Sequence, residues 1–274
     1  MRREVAYITI VTDSNVCLPD AVAHELGIRV VPISIHLTDA DGRDDTIDPK
    51  LVFDALARDE TVKSSPPAAA DYLTAIEDAD GDGVLVLTPA IEFTTMASNA
   101  RQAATLASKP VRVVDTRTAT AAQSLVVRSA AEAARAGATL DAVEAVARDA
   151  ARRVELVASL DATTAIEHSG RIPSPVLETV RERRAHPLFR FREGAVTPLE
   201  IEALDPLDAL RAAWLADGGP GATQSTVFHA AAEERAQRLQ RLLGGRADIV
   251  GFSPAMAVHT GPGVLGVAWL RAPN

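Results

Sequence analysis

The sequence predicts an α/β protein in two parts: an N-terminal parallel sheet flanked by helices, residues 1–154, and a C-terminal α+β part with a mixed sheet, residues 155–274. Three observations predict it. The first 150 residues repeat one rhythm of short β-rich run, polar turn and helical stretch, and such alternation folds as parallel strands with helices on their faces. The run Val84-Leu85-Val86-Leu87 is apolar at every position, as a strand covered on both faces must be. From about residue 155 the rhythm gives way to a hairpin pattern mixed with helices.

The elements follow in order. Tyr7 to Val11 is β-rich and ends in the small polar residues Thr12-Asp13-Ser14-Asn15. Pro19-Asp20 opens a helix that runs to Leu26 and stops at Gly27. Arg29 to His36 reads as a strand in which Pro32 marks an edge or a bend. Thr38 to Asp48 is a loop with five aspartates. Its spacing is not that of an EF-hand, so a solvated loop is expected rather than a calcium site. Thr61 to Pro67 is a polar turn leading into a helix over 68–80. After Val84–Leu87 come a turn, Thr88 to Thr95, and a helix to Leu106. The strand Val111–Val114 precedes the turn Asp115 to Thr120 and a helix stopped by Gly137. Thr139-Leu140-Asp141 starts a helix with Val143, Val146, Ala150 and Val154 on one side.

In the second part, Val157 to Asp161 reads as a strand and a short helix ends at His168-Ser169-Gly170-Arg171-Ile172-Pro173. Leu188–Phe191 and Ala195–Pro198 flank Glu193-Gly194 as a hairpin. Asp205-Pro206 caps a helix through Leu215, Ser225–His229 is a strand, and a helix from Ala230 to Leu243 closes at Gly244-Gly245. Two apolar runs, Ala247–Ser253 and Val264–Trp269, read as buried strands. Between them stand His259, Thr260 and the turn Gly261-Pro262-Gly263, in a place suited to a ligand.

Composition narrows the function. Apolar residues are 47% of 274 and aromatics only 4%, so the core is built mostly of Ala, Val, Leu and Ile. The net charge is −9; residues 1–150 hold 14 Lys/Arg against 23 Asp/Glu, and residues 151–274 hold 14 against 14. Neither part is basic, which argues against a nucleic-acid partner. The single cysteine, Cys17, excludes an intrachain disulfide and a cysteine zinc cage, and reads as a small buried residue. No metal site is expected, because the histidines share no ligand spacing, and no cofactor is expected. No apolar run approaches the ~20 residues that span a bilayer, and Met1-Arg2-Arg3-Glu4 leads into no signal-peptide core. A soluble cytoplasmic protein is expected. No dinucleotide or P-loop glycine motif occurs.

Six motifs in register resemble the DegV family over essentially the whole chain. They are Thr12-Asp13-Ser14 with Leu18-Pro19; Val62-Lys63-Ser64-Ser65-Pro66; Asp115-Thr116-Arg117-Thr118-Ala119; His168-Ser169-Gly170-Arg171-Ile172; the Glu193-Gly194 hairpin; and His259-Thr260-Gly261-Pro262-Gly263. The resemblance implies a two-domain, non-catalytic binder of a long-chain fatty acid, with an apolar tunnel between the domains. Some members of the family present the acid to a separate fatty acid kinase. A buried carboxylate needs several donors, and the head-group residues implied are Lys63, Ser64, Glu92, Thr94, Arg171, His259 and Thr260. Asp13 and Ser14 are read as ordering the first turn.

Two departures from the family stand out. Where the family usually writes Ser-Gly-Leu-Ser-Gly-Thr, this chain has Pro89-Ala90-Ile91-Glu92-Phe93-Thr94. Glu92 stands at the carboxylate-holding serine, so either one of the two carboxyls is protonated, or a cation such as Lys63 intervenes, or Glu92 turns to solvent and Thr94 takes over. The family's Lys-x-Arg pair after the hairpin aligns with Ile201 and Ala203, beside Glu200 and Glu202, which leaves Arg190 and Arg192 as possible substitutes for facing a kinase. Two other readings remain open: a DegV-like binder of a different lipid or small molecule, and a serine hydrolase using Ser64, Ser65 or Ser14 with His259 and an aspartate. The chain has no Gly-x-Ser-x-Gly elbow.

Overall fold

The computed structural model describes residues 7–58, 60–160, 178, 188–201 and 205–273. Three sheets organise them. The first is fully parallel, in the order β2 (Arg29–Val31), β1 (Ile8–Asp13), β6 (Gly83–Thr88), β7 (Val111–Asp115). The second is mixed, in the order β10 (Ala195–Leu199), β9 (Leu188–Arg192), β8 (Val154–Ser159), β13 (Leu265–Leu270), β11 (Gln224–His229), β12 (Asp248–Gly251). Within it only β11 and β12 run parallel. A small antiparallel sheet, β4 (Asp41–Arg43), β3 (Ser34–His36), β5 (Lys63–Ser65), stands beside them. The predicted α/β class with a parallel and a mixed sheet is what the structure has.

The helices are α1 (Asp20–Leu26), α2 (Pro49–Ala57), α3 (Ala69–Glu77), α4 (Met96–Leu106), α5 (Thr120–Arg135), α6 (Leu140–Arg153), α7 (Pro206–Ala216), α8 (Glu233–Leu242) and α9 (Pro254–Thr260). Their ends follow local chemistry. Gly27 closes α1 at φ +64, and the Asp205 carboxylate accepts from the Leu207 N–H at 2.8 Å to start α7. Glu193 and Gly194 both take positive φ, which lets a two-residue loop follow the strand twist of β9–β10.

Helix α5 lies between the two large sheets. Its buried Ala121, Ala122, Leu125, Val126, Ala130 and Ala131 share one cluster with Ile8, Ile10, Leu85 and Leu87 of the first sheet and Leu156, Phe228 and Ala268 of the second. Small side chains let a helix approach both sheets closely, which accounts for an alanine-rich helix at the centre of the molecule. The opposite face of the first sheet, with Val11, Val84 and Val86, is covered by Tyr72 and Ile76 of α3 and Ala100 and Ala103 of α4.

Four elements differ from expectation. The predicted strand 29–36 is two strands in different sheets, broken at Pro32, because proline cannot donate to the ladder. The acidic loop contains the short β4; Asp39, Asp41, Asp45 and Asp48 are exposed, as expected of a solvated loop, and several of its acids also meet protein partners. Asp41 meets His36 at 2.9 Å, Asp44 accepts from the Ala255 N–H at 2.9 Å, and Asp48 caps α2 by accepting from the Lys50 N–H at 2.9 Å. The polar stretch 61–67 includes β5, and His259 and Thr260 end a short helix rather than sit in a turn. The helix expected to end at His168 lies outside the described residues.

Candidate functional site

The first sheet has the strand order β2-β1-β6-β7, so the connections leave in opposite directions from β1 and β6. A crevice opens beyond the carboxyl ends of strands at such a point. The residues that follow these strands, Asn15, Pro89, Phe93, Thr94, Ala119 and Thr120, form one wall of a cavity of about 180 Å³. The second sheet supplies the facing wall through Leu156 and Ala158 of β8, Phe189 and Phe191 of β9, Val196 of β10 and Phe228 of β11. Ser64 of β5 and Met256, His259 and Thr260 of α9 complete it.

The lining is apolar with a few polar groups. Five of the chain's six phenylalanines face it: Phe93, Phe189, Phe191, Phe228 and Phe252. A chain so poor in aromatics concentrates its phenylalanines around this one space. Phe93 and Phe191 meet edge to face, with centroids 4.9 Å apart and planes at 73°, and Phe228 stacks on Phe252 at 5.4 Å.

The polar groups come from distant parts of the chain. Ser64 Oγ lies 2.9 Å from His259 Nε2. Thr260 Oγ1 is bonded back to the Met256 carbonyl at 3.3 Å. Asn15 Nδ2 reaches Met256 Sδ at 2.9 Å, while its Oδ1 accepts from the Thr120 N–H at 3.0 Å. The β7–α5 turn holds Arg117 at φ +53 and Thr120 at φ +54, left-handed conformations rare for such side chains and frequent at functional sites.

Beneath this wall lies a buried polar knot. Asp13 is fully buried and accepts from the Asn15 N–H at 3.1 Å and the Tyr72 hydroxyl at 3.3 Å. Burial pushes its carboxyl up to about 7, although bonds from Asn15, Tyr72 and Gln123 oppose the shift. Ser14 Oγ accepts from the Ile33 N–H at 3.0 Å. These contacts order the first turn, and neither residue is among those lining the cavity. Cys17 is buried, and desolvation raises its thiol to about 12.

Ser64, Thr94, His259 and Thr260 line the cavity together. Lys63 does not. It is exposed, and alternation along β5 turns it to the face opposite Ser64, where its neighbour Ser65 meets His36 at 2.9 Å. Glu92 also stays off the lining. Its carboxylate sits 3.0 Å from Arg117 Nη2, so the cation beside it is Arg117 and not Lys63. Arg171 lies outside the described residues. Arg192 pairs with buried Glu155 at 3.2 Å, Arg190 pairs with Asp217, and Ile201 packs against the second core. Ala203 lies outside the described residues. Asn15, Thr120 and the hairpin phenylalanines are lining residues not singled out from the sequence as site residues. The one sequence signal was the clustering of small polar residues after β1 and β7. Among the described residues, no group of metal-ligating side chains occurs and no helix is long and apolar enough to cross a membrane.

Comparison with known proteins covers the whole architecture. The family model matching residues 7–272 is described as "Uncharacterised protein, DegV family". A DegV domain-containing protein of Streptomyces coelicolor is 30% identical over 276 residues, covering 95% of this chain and 97% of that one. A DegV family protein from Thermus thermophilus, described by its fatty acid binding, superimposes with a TM-score of 0.86 at 25% identity, over 97% of this chain and all of that one. A DegV family protein from Corynebacterium glutamicum gives 0.79 at 26% identity, over 98% and 99%.

Proposed function

This chain belongs to the DegV family, and from that membership and the cavity we propose that it binds a long-chain fatty acid without transforming it. The observation that carries the reading is an apolar, phenylalanine-lined space with the Ser64–His259 pair on its wall. An acyl tail gains roughly 0.8 kcal/mol for each methylene it buries, and a carboxylate that enters with it needs fixed donors. Ser64, His259, Thr94 and Thr260 are the head-group residues within reach, and Arg171 joins them on the resemblance alone. The acid sits between the two parts, 1–154 and 155–274. No cofactor enters the reading, and the protein works in the cytoplasm.

Presentation of the acid to a kinase is the wider role we propose. Its docking would use a surface other than the Arg190–Arg192 strand, because both guanidinium groups are held by carboxylates.

Mass spectrometry of an organic extract of the purified, denatured protein tests the binding. A stoichiometric free fatty acid is expected. An empty extract together with no uptake of added palmitate or oleate overturns the reading and favours a neutral lipid.

One observation favours a second reading. A serine hydroxyl 2.9 Å from an imidazole is also a nucleophile beside its base. Turnover of a chromogenic acyl ester that survives purification and disappears in Ser64→Ala would make the protein a hydrolase.

A further inference from the structure

Glu92 and Phe93 are consecutive, and both reach the same hairpin of the other sheet. The guanidinium of Arg117 bridges Glu92, at 3.0 Å, to the carbonyl of Glu193 at the hairpin tip. The Gly194 N–H donates to the Arg117 carbonyl at 2.7 Å. Gly194 is at φ +78, and a Cβ there would stand 2.5 Å from the Glu92 carboxyl carbon, so the tip rests directly on this side chain. One residue on, the Phe93 ring meets Phe191 of β9. The hairpin in turn walls the cavity through Phe189, Phe191 and Val196. Its outer strand β10 is the edge of the sheet and has no fully buried residue.

We propose that Glu92, Phe93 and Arg117 form a clamp that fastens the β9–β10 hairpin over the cavity, so that Glu92 is a positioning residue that sets how fast a ligand enters and leaves. The inference rests on the fatty-acid reading for its ligand. The physical reason is the position of the hairpin. It is a cavity wall on an edge, joined to the first sheet at its tip by these contacts, and a long apolar ligand exchanges when that wall moves. The ionic part is half exposed, with side-chain accessibilities of 52% for Arg117 and 37% for Glu92. Salt therefore screens it. The aromatic part is insensitive to salt. This also accounts for a glutamate beside a site for an anion: its charge is turned to Arg117 and the hairpin, away from the cavity.

The test is stopped-flow release of cis-parinaric acid, chased with excess palmitate, from wild type and Glu92→Gln at low and high ionic strength. Glu92→Gln is expected to release the acid about threefold or more faster at low salt, a change that an exposed ion pair can supply. The wild type should accelerate toward that rate as salt rises, while the variant stays flat. Amide exchange at Gly194, measured without ligand, should be faster in Glu92→Gln. Equal release rates and equal exchange in the two proteins overturn the clamp. A wild type that holds no acid would sink the fatty-acid reading instead, and the Gly194 exchange would still decide the clamp.

Discussion

Ser64 Oγ and His259 Nε2 stand 2.9 Å apart although 195 residues separate them in the chain. One side chain comes from the small antiparallel sheet and the other from the last turn of α9, so the contact forms only when the two parts of the chain have closed on each other. It places a hydroxyl and an imidazole on the wall of a mostly apolar cavity.

Loss of either group should weaken fatty-acid binding and leave the fold intact. Ser64→Ala and His259→Gln are each expected to lower affinity roughly tenfold, about 1.4 kcal/mol, the scale of one hydrogen bond to a charged group. Titration calorimetry with oleate reads this. An unchanged affinity in both variants would remove the pair from the head-group site.

Filling the cavity should abolish binding more completely. Ala158 of β8 lines it and stands opposite Phe189 across the strand pair. Ala158→Phe places a ring where the acyl tail would lie, and it enters open space rather than packed core, so the overpacking cost stays near or below the low end of about 1–3 kcal/mol. Loss of bound lipid with a melting temperature within a few degrees of wild type is the expected result. Retained binding would move the ligand elsewhere.

Asp13 should make stability fall as pH rises. Burial holds its carboxyl up at about 7, above its ordinary value of 3.8. Between those values the folded protein binds more protons than the unfolded chain, so unfolding free energy decreases with pH and levels off above about 7. Asp13→Asn has no such proton to lose. Its melting temperature relative to wild type should rise from about pH 4 to about pH 8, and the stability difference behind that rise is bounded at about 4 kcal/mol. A constant difference across that range would show that Asp13 titrates normally.

Cys17 should be inert in the native protein. It is 7% exposed, and its thiol is raised to about 12, so little thiolate forms at neutral pH. A disulfide reagent at about pH 8 is expected to react only after addition of denaturant. Rapid stoichiometric labelling of the folded protein would contradict the burial.

The sequence by itself determined the fold class and most of the elements, because the signals for them are local. The apolar run at 84–87, Gly27, the Asp205-Pro206 start and the Glu193-Gly194 turn each act through their own backbone conformation or a neighbour within a few residues. Six short motifs in order were enough to point to the family. Only the tertiary structure decided where Lys63, Glu92 and Phe93 face. Lys63 precedes Ser64 in the chain, yet strand alternation turns the two to opposite faces. Glu92 lies beside residues of the cavity wall, yet its charge is drawn outward by Arg117, a residue of another turn, and by a hairpin about a hundred residues later. The same holds for the cavity. Its phenylalanines are scattered from Phe93 to Phe252, and no periodicity joins them. Their meeting is set by how the two sheets pack across α5, an arrangement fixed by long-range burial that no local pattern encodes.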